Sequence, residues 1–257
     1  DRSPSRGLGD VYKRQGYDSD ESGNLIVNEE QAKIVRMIYE KYLCGRNYFV
    51  IARELNEAGI PGWNGKVNWI ASTIEKMLHN EKYKGDALLQ KTYTVDFLTK
   101  KREKNQGQIA QYYVENNHPA IVKPEIWEAV QLEEQRRREY MKLHHIKAYS
   151  SDLANNPFAS KIICGECGEA FGRKKWRPRP GEYRSVWQCN ARYRVKGVMG
   201  CANRHIDEST LEEIFVKAWN SLMENKEACM QKWERMRKGK NPLLAYRACL
   251  LYTSDAA

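Results

Sequence analysis

Four cysteines, Cys164, Cys167, Cys189 and Cys201, follow the spacing C-x2-C-x21-C-x11-C. Two residues between the first pair let one tight turn aim both sulfurs at a common point, and Gly165 and Gly168 supply the backbone freedom for it. A second pair arriving from a later hairpin closes a four-thiolate site. Such a site suits structural Zn2+ and leaves no open position for metal-ion catalysis. The 11-residue gap before Cys201 is longer than a compact knuckle requires, so His205 is the alternative fourth ligand. Residues 161–204 also hold 11 Lys/Arg against 3 Asp/Glu, a local net of +8. A metal-stapled module with that excess points toward nucleic acid.

The chain has 257 residues, room for two or three small domains, with 30 % charged residues, 41 % hydrophobic residues and a net charge of +10. This balance fits a soluble globular protein with an anionic partner. No uncharged apolar run nears the ~18 residues of a membrane span and no signal-peptide pattern is present, so no membrane partner is expected. Seven cysteines, four of them in ligand spacing, read as metal chemistry in a reducing cytoplasm rather than secreted disulfides. Cys44 and Cys229 fall in helical patterns and are expected to be small buried hydrophobes. Residues 5–15 (SRGLGDVYKRQ) and 249–257 (CLLYTSDAA) resemble translated sequencing adapters. On that reading residues 1–15 and 249–257 are not native, Cys249 leaves the ligand count, and the chain is a fragment open at both ends.

Along the remaining chain, residues 16–27 predict an extended entry with a turn at Ser22–Asn24. Asn28 then caps a helix, with Gln31 at the capping-box position and Ala32, Val35, Ile38, Tyr39 and Tyr42 inward as far as Gly45. Asn47 caps a second helix with Val50, Ile51, Leu55 and Ala58 inward, and a third spans about Ile70–His79 with Ile74, Met77 and Leu78 inward. Three short helices with a Gly/Pro turn form a helix-turn-helix pattern, which is a packing unit at minimum. Ser72, Lys76 and His79 on the outward face of the third helix, with Lys66 beside it, are the candidate DNA contacts.

Ala87–Phe97 alternates as a strand or hairpin arm, Lys100–Gly107 reads as a charged solvated turn, and Gln111–Val114 is a return strand. Pro124 opens another helix that buries Ile126, Trp127, Val130 and Leu132, while Glu133–His145 projects into solvent or along a phosphate backbone. His144 and His145 are expected to be solvated. Residues 148–157 form the linker, and the zinc module follows from Phe158. Its Arg173, Lys174, Lys175, Arg177 and Arg179 occupy a hairpin or exposed loop and are the candidate phosphate contacts, with Arg192 and Arg194 next. Asp207 caps a final helix with Leu211, Ile214, Phe215, Ala218, Trp219 and Leu222 inward, and a coiled-coil start is possible over 224–248. No G-x-S-x-G elbow, Walker loop or H-E-x-x-H is present, and no catalytic residue is assigned.

In this order, Gly16-Tyr17, EEQAKIVRMIYEKYLCG, IARELNEAGIP, WIASTIEKMLHNEKYKG, NHPAIV and ICGECG resemble the large serine recombinases over nearly all of 16–223. The resemblance implies an α+β chain: a helix-turn-helix-like recombinase domain with a β-hairpin (16–147), a linker (148–157), and a zinc ribbon with a C-terminal helix (158–223). It implies site-specific integration, excision or transposition of bacterial mobile DNA. The partner is then duplex DNA at an attachment site, in the cytoplasm at the nucleoid, with self-association in the full-length protein. In that family a separate N-terminal domain carries the serine that attacks the phosphate. That domain would precede residue 16, so the chain alone is expected to be inactive. The fourth family cysteine often follows the third more closely than Cys201 follows Cys189. A stand-alone zinc-ribbon regulator without strand exchange is the main alternative, and an RNA-binding zinc-ribbon protein the second.

Overall fold

The computed structural model describes residues 15–96, 98–99, 101–150 and 156–231. Both expected adapter segments, apart from Gln15, lie outside the described residues, as do the middle of the linker and 232–248 of the possible coiled coil. The chain divides into two compact units, 1–44 with 48–131 and 45–47 with 132–257.

In the first unit, strands β1 (Tyr17–Ser19) and β2 (Leu25–Val27) form a hairpin with Tyr17 opposite Val27. Helix α1 (Glu29–Leu43) starts where the Asn28 side chain accepts the Gln31 N–H at 3.2 Å. The expected capping box is half made, because Gln31 Oε1 accepts instead from the Gly16 N–H. Helices α2 (Tyr48–Glu57) and α3 (Ala71–Leu78) complete a three-helix core of Val35, Ile38, Tyr39, Ile51, Leu55, Ile74 and Leu78, all buried as their spacing predicts. The connection between α2 and α3 is pinned by Asn56, which exchanges two 2.8 Å hydrogen bonds with the Trp69 backbone, while the buried Trp69 ring donates to Ile60. Asn47 precedes α2, and its side-chain amide donates to the Tyr149 carbonyl.

Beyond a 3-10 turn (Glu81–Lys84), four strands form one bent arm. Strand β3 (Ala87–Leu89) pairs with β6 (Tyr112–Val114), and inside that pair β4 (Thr92–Asp96) pairs with β5 (Lys101–Lys104). The stretch expected to be a charged solvated turn is therefore partly strand, because β4 supplies a partner for its backbone.

Helix α4 (Pro124–Leu143) begins at Pro124 and buries Ala129 and Val130, but Leu132 is exposed and Glu133 and Arg137 are buried. This corrects the expected solvated run: positions 129, 133 and 137 are four apart and share one stripe. The boundary between the units falls within this helix, after Gln131.

The second unit holds strands β7 (Phe171–Trp176), β8 (Arg184–Cys189) and β9 (Ile206–Asp207) in the order β7-β8-β9, then helix α5 (Glu208–Glu224). Its core is Cys164, Phe171, Trp187, Cys189, Cys201 and Leu211. Two expectations for α5 are corrected. Asp207 makes no side-chain cap and pairs with Arg184 instead, and only Leu211 of the expected inward face is buried. Ile214, Phe215, Trp219 and Leu222 are about half exposed. Cys44 is exposed and Cys229 only partly covered, against the expectation of burial.

Candidate metal centre and basic surfaces

The Cys164–Cys167 turn is closed by local hydrogen bonds, from the Cys164 N–H to Glu169 and from the Gly168 N–H to the Cys164 carbonyl. Gly168 takes a φ of +75°, the left-handed conformation that glycine tolerates best, whereas Gly165 needs no such freedom. Cys189 ends β8. From there the chain loops out and back to Cys201. The return is held by the Gly200 N–H on the Arg192 carbonyl, and by Arg192 Nη1 donating to Ala202 at 2.9 Å and to Asn203 at 2.6 Å. A Cβ at Gly200 would come within 2.5 Å of the Ala191 carbonyl oxygen, so the long gap closes only with glycine there.

These elements bring all four predicted cysteines together. Their sulfurs lie within 4.8 Å of one another, with Cys164–Cys201 at 3.8 Å and Cys167–Cys189 at 3.4 Å. A tetrahedron of thiolates about 2.3 Å from one ion has edges of about 3.8 Å. The set therefore fits a thiolate-binding metal. Burial works to raise the Cys164 thiol, but the backbone N–H groups of Cys167 and Glu166 and the Asn203 amide outweigh it and hold the group at about 7. Cys189 is pushed up to about 12, by burial first and then by the Cys167 and Cys201 thiols. Four thiolates gathered this closely repel one another, and a bound cation is what would offset that repulsion. His205 is not in the group; its ring packs on Trp176 with centroids 4.3 Å apart.

Asn203 and Glu169 escaped the sequence reading. Asn203 Nδ2 lies 3.2 Å from the Cys164 sulfur. Glu169, buried, takes both His145 (2.9 Å) and Arg194. His144, expected to be solvated, instead bonds the Gly168 carbonyl through Nδ1 at 2.6 Å and packs on Tyr140. No signal beyond nearness to the cysteines marks these supports in the sequence.

The candidate DNA contacts fall into two groups. In the first unit, Lys66 and Lys76 line one cleft of about 360 Å³, together with Asn68 and Thr73. Ser72 is exposed beside it, and His79, also exposed, turns its ring to the Glu75 carbonyl. In the second unit, Lys174, Lys175, Arg177 and Arg179 are exposed, with Arg177 over the Tyr183 ring. Arg173 is paired with Glu208 at 2.6 Å, Arg194 with Glu169, and Arg192 holds the Cys201 loop. Those three are engaged within the protein.

A helical unit followed by a three-stranded ribbon that gathers four thiols able to hold a metal defines a modular protein. Residues 29–137 match the family model described as Recombinase, and residues 157–220 match the recombinase zinc beta ribbon domain. Together the two matches cover most of the chain, which belongs to the recombinase family that they describe, as its series of motifs anticipates. One similar solved structure, described as "Sequence Requirements of the Listeria innocua prophage attP site", is 22% identical over 80% of this chain and 76% of its own, with a TM-score of 0.46. A second, described as "Crystal Structure of a LSR-DNA Complex", is 19% identical over 97% and 72%, with a TM-score of 0.42. No curated relative matches. Among the described residues, no helix is long and apolar enough to cross a membrane.

Proposed function

We propose that this chain is the part of a site-specific serine recombinase that recognises the DNA attachment site, with residues 16–147 and 158–223 as two reading domains joined by 148–157. The observation that carries the reading is the succession of a recombinase model and a recombinase zinc ribbon in one chain. In keeping with it, one of the two similar solved structures is described by a prophage attP site and the other as an LSR-DNA complex. Lys66, Ser72, Lys76 and His79 serve as contacts in the first domain, and Lys174, Lys175, Arg177 and Arg179 in the second. Arg173, Arg192 and Arg194, engaged internally, rank behind them. Cys164, Cys167, Cys189 and Cys201 hold one structural Zn2+, whose coordination is closed and whose role is to tie three chain segments together. Self-association of the full-length protein, in the bacterial cytoplasm at the nucleoid, belongs to the same reading and is supported by the apolar row on α5.

Selection of bound duplexes from a random pool should converge on one sequence class, and recovery of an unbiased pool would refute site recognition. Replacing Lys174, Lys175, Arg177 and Arg179 by alanine should flatten the dependence of log affinity on log salt by roughly 0.9 per lost phosphate contact. An unchanged slope would make that loop a solvated surface.

A further inference from the structure

The inner hairpin of the bent arm has two chemically different faces. Residues directly opposite in an antiparallel pair share a face, so Thr92 with Lys104 and Thr94 with Arg102 lie on one side, and Tyr93 with Glu103 on the other. The 3.0 Å hydrogen bond from Arg102 Nη2 to the Thr92 hydroxyl runs diagonally across the first face. That face offers two hydroxyls and two cations, all exposed, and among the described residues neither cation has an ion-pair partner. On the opposite face the Lys101 ammonium is paired with Glu103 at 3.1 Å.

The hairpin is also held at a defined angle. Asn105, buried at the bend, donates to the Gln90 and Ile109 carbonyls at 2.9 and 2.6 Å and accepts from the Gly107 and Ile109 N–H groups. Gln90 contributes the bend itself with a φ of +58°. A ribbon with cations and hydroxyls on one side fits a polyanion of regular spacing. The Thr92–Lys104 and Thr94–Arg102 pairs stand about 7 Å apart along the strands, close to the separation of successive phosphates on one DNA strand.

We propose that the Thr92, Thr94, Arg102 and Lys104 face of this hairpin is a backbone clamp for duplex DNA, separate from the α3 surface and from the zinc ribbon. It rests on the reading that this chain binds DNA. The test uses the full chain and a mixed-sequence duplex, with affinity followed across a salt series. Arg102→Ala with Lys104→Ala should lower the slope of log affinity against log salt by roughly 1.8, the value for two lost contacts. Arg102→Lys with Lys104→Arg keeps both charges and should keep the slope. Lys101→Ala removes one charge from the same hairpin on the other face and should leave the slope unchanged. Equal slopes for the parent and the double alanine variant overturn the clamp while leaving DNA binding intact. A drop for Lys101→Ala as large per charge as for the pair overturns the face assignment. Absence of duplex binding by the parent chain overturns the clamp together with the reading beneath it.

Discussion

Glu133 is fully buried, and its two oxygens are taken by Arg136 (2.7 and 2.9 Å) and Arg137 (2.7 Å). Arg137 is itself buried, donates to the Arg46 carbonyl in the 45–47 loop, and packs over the Tyr149 ring. Removing the carboxylate takes from the buried guanidinium the counter-charge that stands 2.7 Å from it. Glu133→Ala should therefore cost about 3–5 kcal/mol, with Glu133→Gln intermediate because it keeps an acceptor oxygen. Urea denaturation with unchanged stability in Glu133→Ala would show the cluster to be dispensable. Sequence reading missed this cluster because charge identity outweighed position: Glu133 and Arg137 stand four and eight residues after buried Ala129. Arg192 teaches the reverse. It looks like a phosphate contact by composition, yet its guanidinium closes the loop that returns Cys201 to the metal centre. No pattern distinguishes an arginine that holds carbonyls from one that faces solvent.

Among the elements, the bent arm depends on carboxylates at its base. Burial works against ionisation of Asp86, but the Tyr113 hydroxyl, the Asn116 N–H and Lys84 outweigh it, and the carboxyl sits below its usual range. Glu81 is also held down, where burial is outweighed chiefly by Lys91 and by the Leu88 N–H. A depressed native value means that each contributes stability in full above its unfolded value near 4. That contribution is lost as pH falls through the native value. Stability of the parent should therefore decline in acid, and Asp86→Asn should show a shallower decline; parallel curves would remove Asp86 from the account. The sequence announced a strand or hairpin arm at 87–97 through alternation and a return strand at 111–114. It hid the strand at 101–104, because Lys-Arg-Glu-Lys has little intrinsic strand preference and is paired only through its neighbour across the hairpin. In α5 the periodicity identified the helix and its apolar row, but the row beyond Leu211 faces outward. Periodicity reports that a face is apolar and says nothing of what covers it.

At the scale of the molecule, each unit has its own core, and among the described residues only the second is built around thiols. On the zinc reading, the ion contributes on the order of 10 kcal/mol in apparent terms to that unit's fold. A strong chelator should abolish structure over residues ~160–204 and spare the helical core over 28–80, as followed by hydrogen exchange. Metal analysis should find one zinc per chain, and a second unit that stays protected in chelator would refute the structural role. The cysteine spacing made the centre legible without any structure, since four soft donors at those intervals have few other uses. Its supports, Asn203, Glu169 and His144, were not legible, because each acts through a contact that depends on the folded loop. The layout of the centre also sets an order of assembly. Cys164 and Cys167 are poised by hydrogen bonds within a six-residue turn, whereas Cys189 and Cys201 must be fetched across 21- and 11-residue spans. Closing those spans carries an entropic barrier that the first turn does not face. On the zinc reading an arriving ion should therefore meet Cys164 and Cys167 before Cys189 and Cys201, and equal rates of metal capture by Cys167→Ser and Cys201→Ser would overturn that order.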